Sequence, residues 1–530
     1  MNFNMKKIYV ITAVLLILGN TGCTKKELSD AYPNPSTINT STLEQQFAGF
    51  MTSDLNYVLY RYYNYFVDLQ NTALHYTQAV GWANAPAQYV PGSAAITDKW
   101  DSYYQFLGQY KDFLNIYNQL STADQQSKRI YLIVANIHFY DQTQKIVDLY
   151  GDIPWSKAGL LSTNSGNYQT SYASYDAATD IYTKMLDDLK GYSDELNSIS
   201  VPTAVATSLK TQDFINHGNL VSWEKYCNSL RLKLLMRVSK VSSFQARVNS
   251  ELSAITSGNT YPLVLTNADN ILVNVYNLTT PINSSDFYSG IIGWGYNDQA
   301  TKGMIDTMNN NADPRLRFMF QPGNNAGGVY KGLDLTLNST TATALQAGGT
   351  IATYNYSAIT KNPYLPGILI QAAEVNFLLA EYYEKAGNDA QAQTYYQNGI
   401  TQSVNFYAGL NALNASSTYV SIPALGANEI SNYLKSNISW SKATSASGKL
   451  NLIAVQKWIN YSILEPLESW AEVRRTKLPN FTFVTDNTNA LTLPPSRFVY
   501  PGEEQTYNTT NYSKVAANDK FTTKLFWDVN

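Results

Sequence analysis

The strongest constraint on this chain is its helical periodicity. Apolar residues recur at i, i+3, i+4 and i+7 through several long segments, the spacing that lays one stripe along an α-helix. Residues 43–70 carry Phe47, Phe50, Met51, Leu55 and Leu59 on such a stripe, with Thr42 or Ser41 placed to cap it. Residues 101–120 and 129–149 follow, the second closed by Gly151 and Pro154. Residues 175–196 set Ala178, Ile181, Tyr182, Met185 and Leu189 on one face. Residues 220–241 are apolar over more than one face, which predicts burial from more than one side. Residues 371–386 and 389–407 predict a helical hairpin around Gly387-Asn388, and 450–475 a helical region broken near Pro466. The stretches 79–99, 258–303, 322–366 and 480–530 hold most of the Gly, Pro, Asn and Thr. The expected fold is mostly α, with long irregular excursions and a few short strands. Loops this long are uncommon unless they carry function.

Composition excludes several functions. The net charge is −3, whereas phosphate neutralisation needs basic clusters, so nucleic acid is not an expected partner. Three His and two Cys argue against a zinc site or a disulfide scaffold, and no spacing resembles a calcium loop. No metal or cofactor is expected. Charged residues make up 15%, against about 25% in an average soluble protein. Tyr is over-represented at 41 residues. A tyrosine offers a flat apolar face with a polar tip, which suits wet, uncharged ligands. Many of these tyrosines fall on helical faces (Tyr182, Tyr383, Tyr396) and are read as packing; Tyr89 and Tyr296 lie in loops.

The N-terminus reads as an address. Lys6 and Lys7 precede an apolar run, residues 8–18, too short to span a bilayer. The run ends in Asn20-Thr21-Gly22-Cys23, which resembles a bacterial lipobox, with Asn20 standing where Leu is usual. The expected layout is a signal peptide over 1–22, a lipidated Cys23 with a tether over 23–40, and one domain over 41–530 with irregular excursions near 258–366 and 480–530. Cys227 is flanked at helical spacing by Trp223, Leu230 and Leu234, and is read as a buried apolar residue.

The hairpin from Asn376 to Gly399 resembles a tetratricopeptide unit: Ala380 and Ala392 let two helices approach, and Tyr383 and Tyr396 fill the gaps beside them. Five short motifs then occur in order. They are Asp148-Leu149-Tyr150-Gly151-Asp152-Ile153-Pro154-Trp155; Asp313-Pro314-Arg315-Leu316; the helix bearing Ala373, Glu374, Phe377, Leu378, Ala380 and Glu381; Glu468-Ser469-Trp470-Ala471-Glu472-Val473-Arg474-Arg475-Thr476; and the run of Pro495, Arg497, Tyr500, Pro501, Glu503, Glu504, Asn508 and Asn511. Together they resemble the SusD/RagB family of nutrient-binding outer-membrane lipoproteins, in the branch called SusD-like 2. The resemblance implies a SusD-like fold of tetratricopeptide-type helix pairs with a loop-rich ligand face. It also implies a partner, a SusC-like TonB-dependent β-barrel transporter, to which a captured oligosaccharide is delivered without any bond being broken. The motifs themselves read as structural. Asp313 and Arg315 are placed to pair locally or to cap a helix; a surface pair would contribute about 0–1 kcal/mol.

Ligand contacts are sought among aromatics that no helical periodicity explains. Trp82, Asn84 and Tyr89 form one loop cluster; Trp294, Tyr296, Asn297 and Asp298 form another, with Gly293 and Gly295 beside them. Rings would stack on sugar C–H faces, and amides and carboxylates would bind hydroxyls. Two other readings are a peptide-binding member of the same family and an all-α glycan-degrading surface enzyme, for which Glu468, Glu472, Glu503 and Glu504 would be the carboxylates to consider.

Overall fold

The structure, a computed structural model, describes residues 41–293 and 295–529. The signal peptide, Cys23 and Trp294 lie outside the described residues. Helix α1, Leu43–Thr52, starts at the expected cap: Gln45 N–H donates to Thr42 Oγ1 at 3.2 Å and Thr42 N–H to Gln45 Oε1 at 3.0 Å. It does not run on to residue 70. The Ser53 hydroxyl donates to Phe50 O at 2.6 Å and ends it, and a short helix Leu55–Val58 and a π-helical turn Asn64–Leu69 follow. The predicted stripe is buried nonetheless, because each break leaves its apolar residues facing the same core.

Helix α2, Ser93–Gln119, begins before residue 101, since Ala95 and Ile96 are buried with Trp100. Helix α3, Arg129–Tyr150, stops at Gly151, whose φ of 78° is open to glycine. Helices α4, Ala178–Leu196, and α5, Leu220–Arg237, follow the predicted periodicity. Helix α6, Gln245–Thr256, was not anticipated; it buries Val248, Leu252 and Ile255. The irregular middle holds α7, Phe287–Ile292. Beyond it come α8, Ala372–Lys385; α9, Asp389–Leu413; α10, Ala446–Tyr461; and α11, Pro466–Thr476. Proline at the start of α11 is tolerated because that N–H has no intrahelical acceptor.

The described strands form three short antiparallel pairs. Strand β1, Ile153–Pro154, pairs with β2, Tyr175–Asp176; β3, Ile271–Val273, pairs with β6, Gly367–Ile370; and β4, Phe320–Gln321, pairs with β5, Thr353–Tyr354. Consecutive helices α1 to α5 pack pairwise, and α8 lies against α9 and α10. In the α8–α9 hairpin a Cβ at Gly399 would lie 2.5 Å from Phe377 Cε1, so glycine there permits the close approach. Ala380, Ala392 and Tyr396 are buried between the helices as the spacing predicts. The main apolar core runs from Leu43 to Trp527, and a second cluster gathers around Phe377, Ala380, Tyr396 and Trp440.

The recurring motifs meet inside the molecule as ion pairs. Arg475 donates to both carboxyl oxygens of Glu381, at 2.8 and 2.6 Å, and to both of Glu472, at 2.8 and 2.7 Å. Lys457 Nζ lies 2.8 Å from each of the same two carboxylates. Arg237 joins Glu472, Glu468 and Asp148. Asp148 also accepts from Tyr182 at 2.6 Å and from the Trp527 indole at 2.7 Å, which pins the C-terminal segment. The Arg474 guanidinium stacks 3.8 Å from the Trp470 ring centre. Asp313 and Arg315 pair locally as expected, but in the interior rather than at the surface. Both side chains are fully buried, 2.6 Å apart, and Arg315 also donates to Ser403 and Gln456. Cys227 is buried, with its Sγ 3.2 Å from Leu189 O.

Candidate functional site

The two loops picked out from the sequence lie side by side: Gly81 N–H donates to Gln299 O at 2.7 Å. Their side chains have different surroundings. Trp82 is buried, stacked on the His75 ring at 4.4 Å and 17°, with its indole N–H on Gln88 Oε1 at 3.1 Å. Burial pushes His75 down to about 3, so it stays neutral. Tyr89 is fully buried and donates to Val484 O at 2.7 Å. Asn84 donates to the carbonyls of Leu335 and Leu337 at 2.7 and 3.2 Å. In this arrangement the first loop is held by its own polar groups, with Trp82 and Tyr89 acting as anchors.

The second loop opens onto a cleft of about 380 Å³. Helix α7 presents Tyr288 on one side. The turn after it brings Tyr296, 44% exposed, and Asp298. Tyr356 comes from a π-helical turn, Tyr356–Thr360, directly after β5, and its ring meets that of Tyr288 at 5.2 Å and 76°. The Lys361 ammonium sits over both rings, 4.1 and 4.0 Å from their centres, and holds them in place. Asn324, Asn325 and Gln346 complete the polar wall. Asn297 is half-buried beside the cleft.

Backbone geometry fixes this wall. Tyr354 N–H donates to Asp298 O at 2.8 Å, and Asn325 N–H to Gly349 O at 2.8 Å. A Cβ at Gly323 would lie 2.5 Å from Gly349 O, so the two turns can touch only with glycine at 323. Asp298 is 4% exposed, and its Oδ2 has no protein partner among the described residues. Burial pushes its carboxyl up to about 6. The cleft wall is one of neutral rings, amides and a single carboxylate, with the Lys361 ammonium packed against two of the rings, a mixture suited to a hydroxyl-rich ligand.

Tyr288, Tyr356, Asn324, Asn325 and Gln346 were not singled out from the sequence. The run Pro322-Gly323-Asn324-Asn325 was a visible polar turn, but nothing local paired it with Tyr356. Glu468 and Glu472 are spent in the buried ion network described above. Among the described residues, no group of three or more His, Cys, Asp or Glu is placed to hold a metal ion, and no helix is long and apolar enough to cross a membrane.

Comparison with known proteins agrees with the fold. The sequence model of the SusD-like 2 family, described as starch-binding and associating with the outer membrane, matches residues 36–501. The chain belongs to this SusD-like family. No curated protein matches in sequence. A chitin-binding SusD homologue from Flavobacterium johnsoniae superposes with a TM-score of 0.69 at 21% identity, over 91% of this chain and 99% of that one. A SusD homologue from Bacteroides fragilis gives 0.70 at 21% identity, over 92% and 99%. A SusD-like protein, Bacteroidetes AC2a, gives 0.72 at 18% identity, over 92% of this chain and 100% of that one. At these identities the likeness is one of fold.

Proposed function

We propose that this protein binds a neutral oligosaccharide in the cleft of Tyr288, Tyr296 and Tyr356, and delivers it to a SusC-like TonB-dependent transporter. The observation that carries the reading is the pairing of ring faces with uncharged hydrogen-bonding groups on one open cleft. Chitin binding by relatives of the same fold supports the carbohydrate class. Asn297 and Asp298 contribute from the predicted loop, and Trp294 belongs to the same loop. Trp82, Asn84 and Tyr89 brace it. The cleft's described lining carries one carboxylate, Asp298, whereas glycoside hydrolysis ordinarily uses two about 5–10 Å apart, which favours binding without turnover. A lipid on Cys23 holds the protein at the outer membrane, facing outward.

The test is a glycan and peptide array probed with the purified protein, followed by calorimetry on each hit. Saturable binding of an oligosaccharide without products supports the reading. Binding to peptides alone, or release of shortened glycans, contradicts it. Loss of radiolabelled palmitate on Cys23→Ala, and antibody labelling of intact cells, test the anchor and its orientation.

A further inference from the structure

The ligand cleft holds two buried acceptors that the protein leaves unused. Asp298 and Gln299 both line it and are 4% and 3% exposed, the most buried polar side chains of the described lining. Among the described residues, neither Asp298 Oδ2 nor Gln299 Oε1 has a hydrogen-bond donor. The Gln299 amide is oriented by its other end: Nε2 donates to Gln346 O at 3.2 Å, which leaves Oε1 turned away from that carbonyl. Burial raises the Asp298 carboxyl to about 6, so at pH 7 it is ionised and only accepts. The Tyr356 hydroxyl and the Lys361 ammonium favour that form without bonding Oδ2.

The backbone keeps both acceptors in place. Gly81 N–H donates to Gln299 O at 2.7 Å, Gln299 N–H to Tyr296 O at 3.2 Å and Tyr354 N–H to Asp298 O at 2.8 Å. Consecutive Cα atoms lie about 3.8 Å apart, so the two side chains rise from one short stretch. Asn324 and Asn325 stand exposed at the rim, where their amides can donate or accept and so impose no polarity. The buried end of the cleft asks for donors. A ligand that takes the place of water there must bring them, or leave two acceptors unpaired, one of them charged. Two neighbouring hydroxyls of one sugar ring supply such a pair from adjacent atoms. Sulfate, carboxylate, ether and ester oxygens supply acceptors only. The Lys361 ammonium over Tyr288 and Tyr356 disfavours a cationic amine as the donor.

Resting on the reading of this cleft as an oligosaccharide site, we propose that it selects a sugar ring with two free neighbouring hydroxyls, one donating to Asp298 and the other to Gln299. Rings that carry sulfate, carboxylate, O-alkyl or O-acyl groups at those positions are rejected. A site built to accept from a hydroxyl discriminates strongly against the analogue that lacks it, because its own buried groups are then left unpaired. Asp298 and Gln299 are thus specificity-determining residues, and the substrate class narrows to neutral glycans unsubstituted at two adjacent positions.

Isothermal titration tests this with three probes: the tightest neutral tetrasaccharide of a glycan array, its analogues with each hydroxyl replaced in turn by fluorine, and its sulfated form. Fluorine is close to a hydroxyl in size but cannot donate. Fluorine at two neighbouring positions should each weaken binding about tenfold or more, and elsewhere by less than about threefold. Asp298→Asn should erase the penalty at one of these positions and Gln299→Leu at the other, a coupling that a merely structural role would not produce. If Gln299→Leu fails to fold, Asp298→Asn carries the test. The sulfated form should bind at least about tenfold more weakly than the neutral one. Penalties spread evenly over the ring, penalties unchanged in Asp298→Asn, or tighter binding of the sulfated form would overturn the proposal. Those results leave the oligosaccharide site standing as long as Tyr296→Ala still weakens binding; an array with no neutral binder contradicts both readings.

Discussion

Arg475 holds Glu381 in a two-pronged grip, Nη1 to Oε1 at 2.8 Å and Nη2 to Oε2 at 2.6 Å, although the residues lie on different motifs far apart in sequence. The grip joins the first helix of the tetratricopeptide-like hairpin to α11. Such a planar, bidentate match is something Lys cannot reproduce. Removing one partner leaves the other charged and buried. Glu381→Ala should therefore cost about 3–5 kcal/mol in unfolding free energy, measured by urea denaturation. An effect below about 1 kcal/mol would mean the network is not holding the two elements together.

The same network sets an acid limit. Although burial opposes the charged form, Arg475 and the neighbouring lysines hold the Glu381 and Glu472 carboxyls below the usual carboxylate range. For groups depressed in the folded state, the stabilisation is fully present above the unfolded value of about 4.3 and is lost as pH falls towards the folded values. Unfolding free energy should fall from pH 5 to pH 3. The fall should be smaller in Glu381→Gln, read as a flatter pH profile in the same urea assay.

Trp82 and Tyr296 should separate stability from binding. Trp82 is buried against His75, so Trp82→Ala should destabilise by about 3–5 kcal/mol. Tyr296 is 44% exposed, so Tyr296→Ala should leave the melting temperature nearly unchanged. A folded Trp82→Ala protein with intact melting and no ligand binding would return Trp82 to the ligand contacts.

Asp298 gives the cleft a pH signature. Its carboxyl is raised to about 6 by burial, so between the unfolded value near 3.9 and that point it disfavours the folded state as pH rises. A sugar hydroxyl donating to it would favour the ionised form. Ligand affinity should therefore weaken as pH drops from 7 to 5, and calorimetry near pH 6 in buffers of different ionisation enthalpy should show proton release on binding. Asp298→Asn should remove both effects.

The sequence made the helices legible because their apolar stripes needed no partner to be recognised. Thr42, Gly151 and Gly387 marked boundaries for reasons local to the backbone. The breaks after Ser53 were hidden, since the stripe continued through them. Lys233, Arg237 and Glu381 look like surface residues by type; they are buried only because distant segments supply counter-charges. The cleft was half visible for the same reason. The turn at Tyr296 to Asp298 stood out by its glycines, whereas Tyr288 and Tyr356 meet only through tertiary packing. Trp82 sat in an equally Gly-rich and Pro-rich stretch, and nothing local told an anchor from a platform.

The most direct test of the central claim is isothermal titration of the purified protein with the best oligosaccharide from the array, beside Tyr296→Ala and Tyr356→Ala. Ring loss should weaken binding about tenfold in each, with melting unchanged in Tyr296→Ala and no shortened glycan detected by mass spectrometry. Wild-type affinity in both variants would place the ligand outside this cleft and contradict the account.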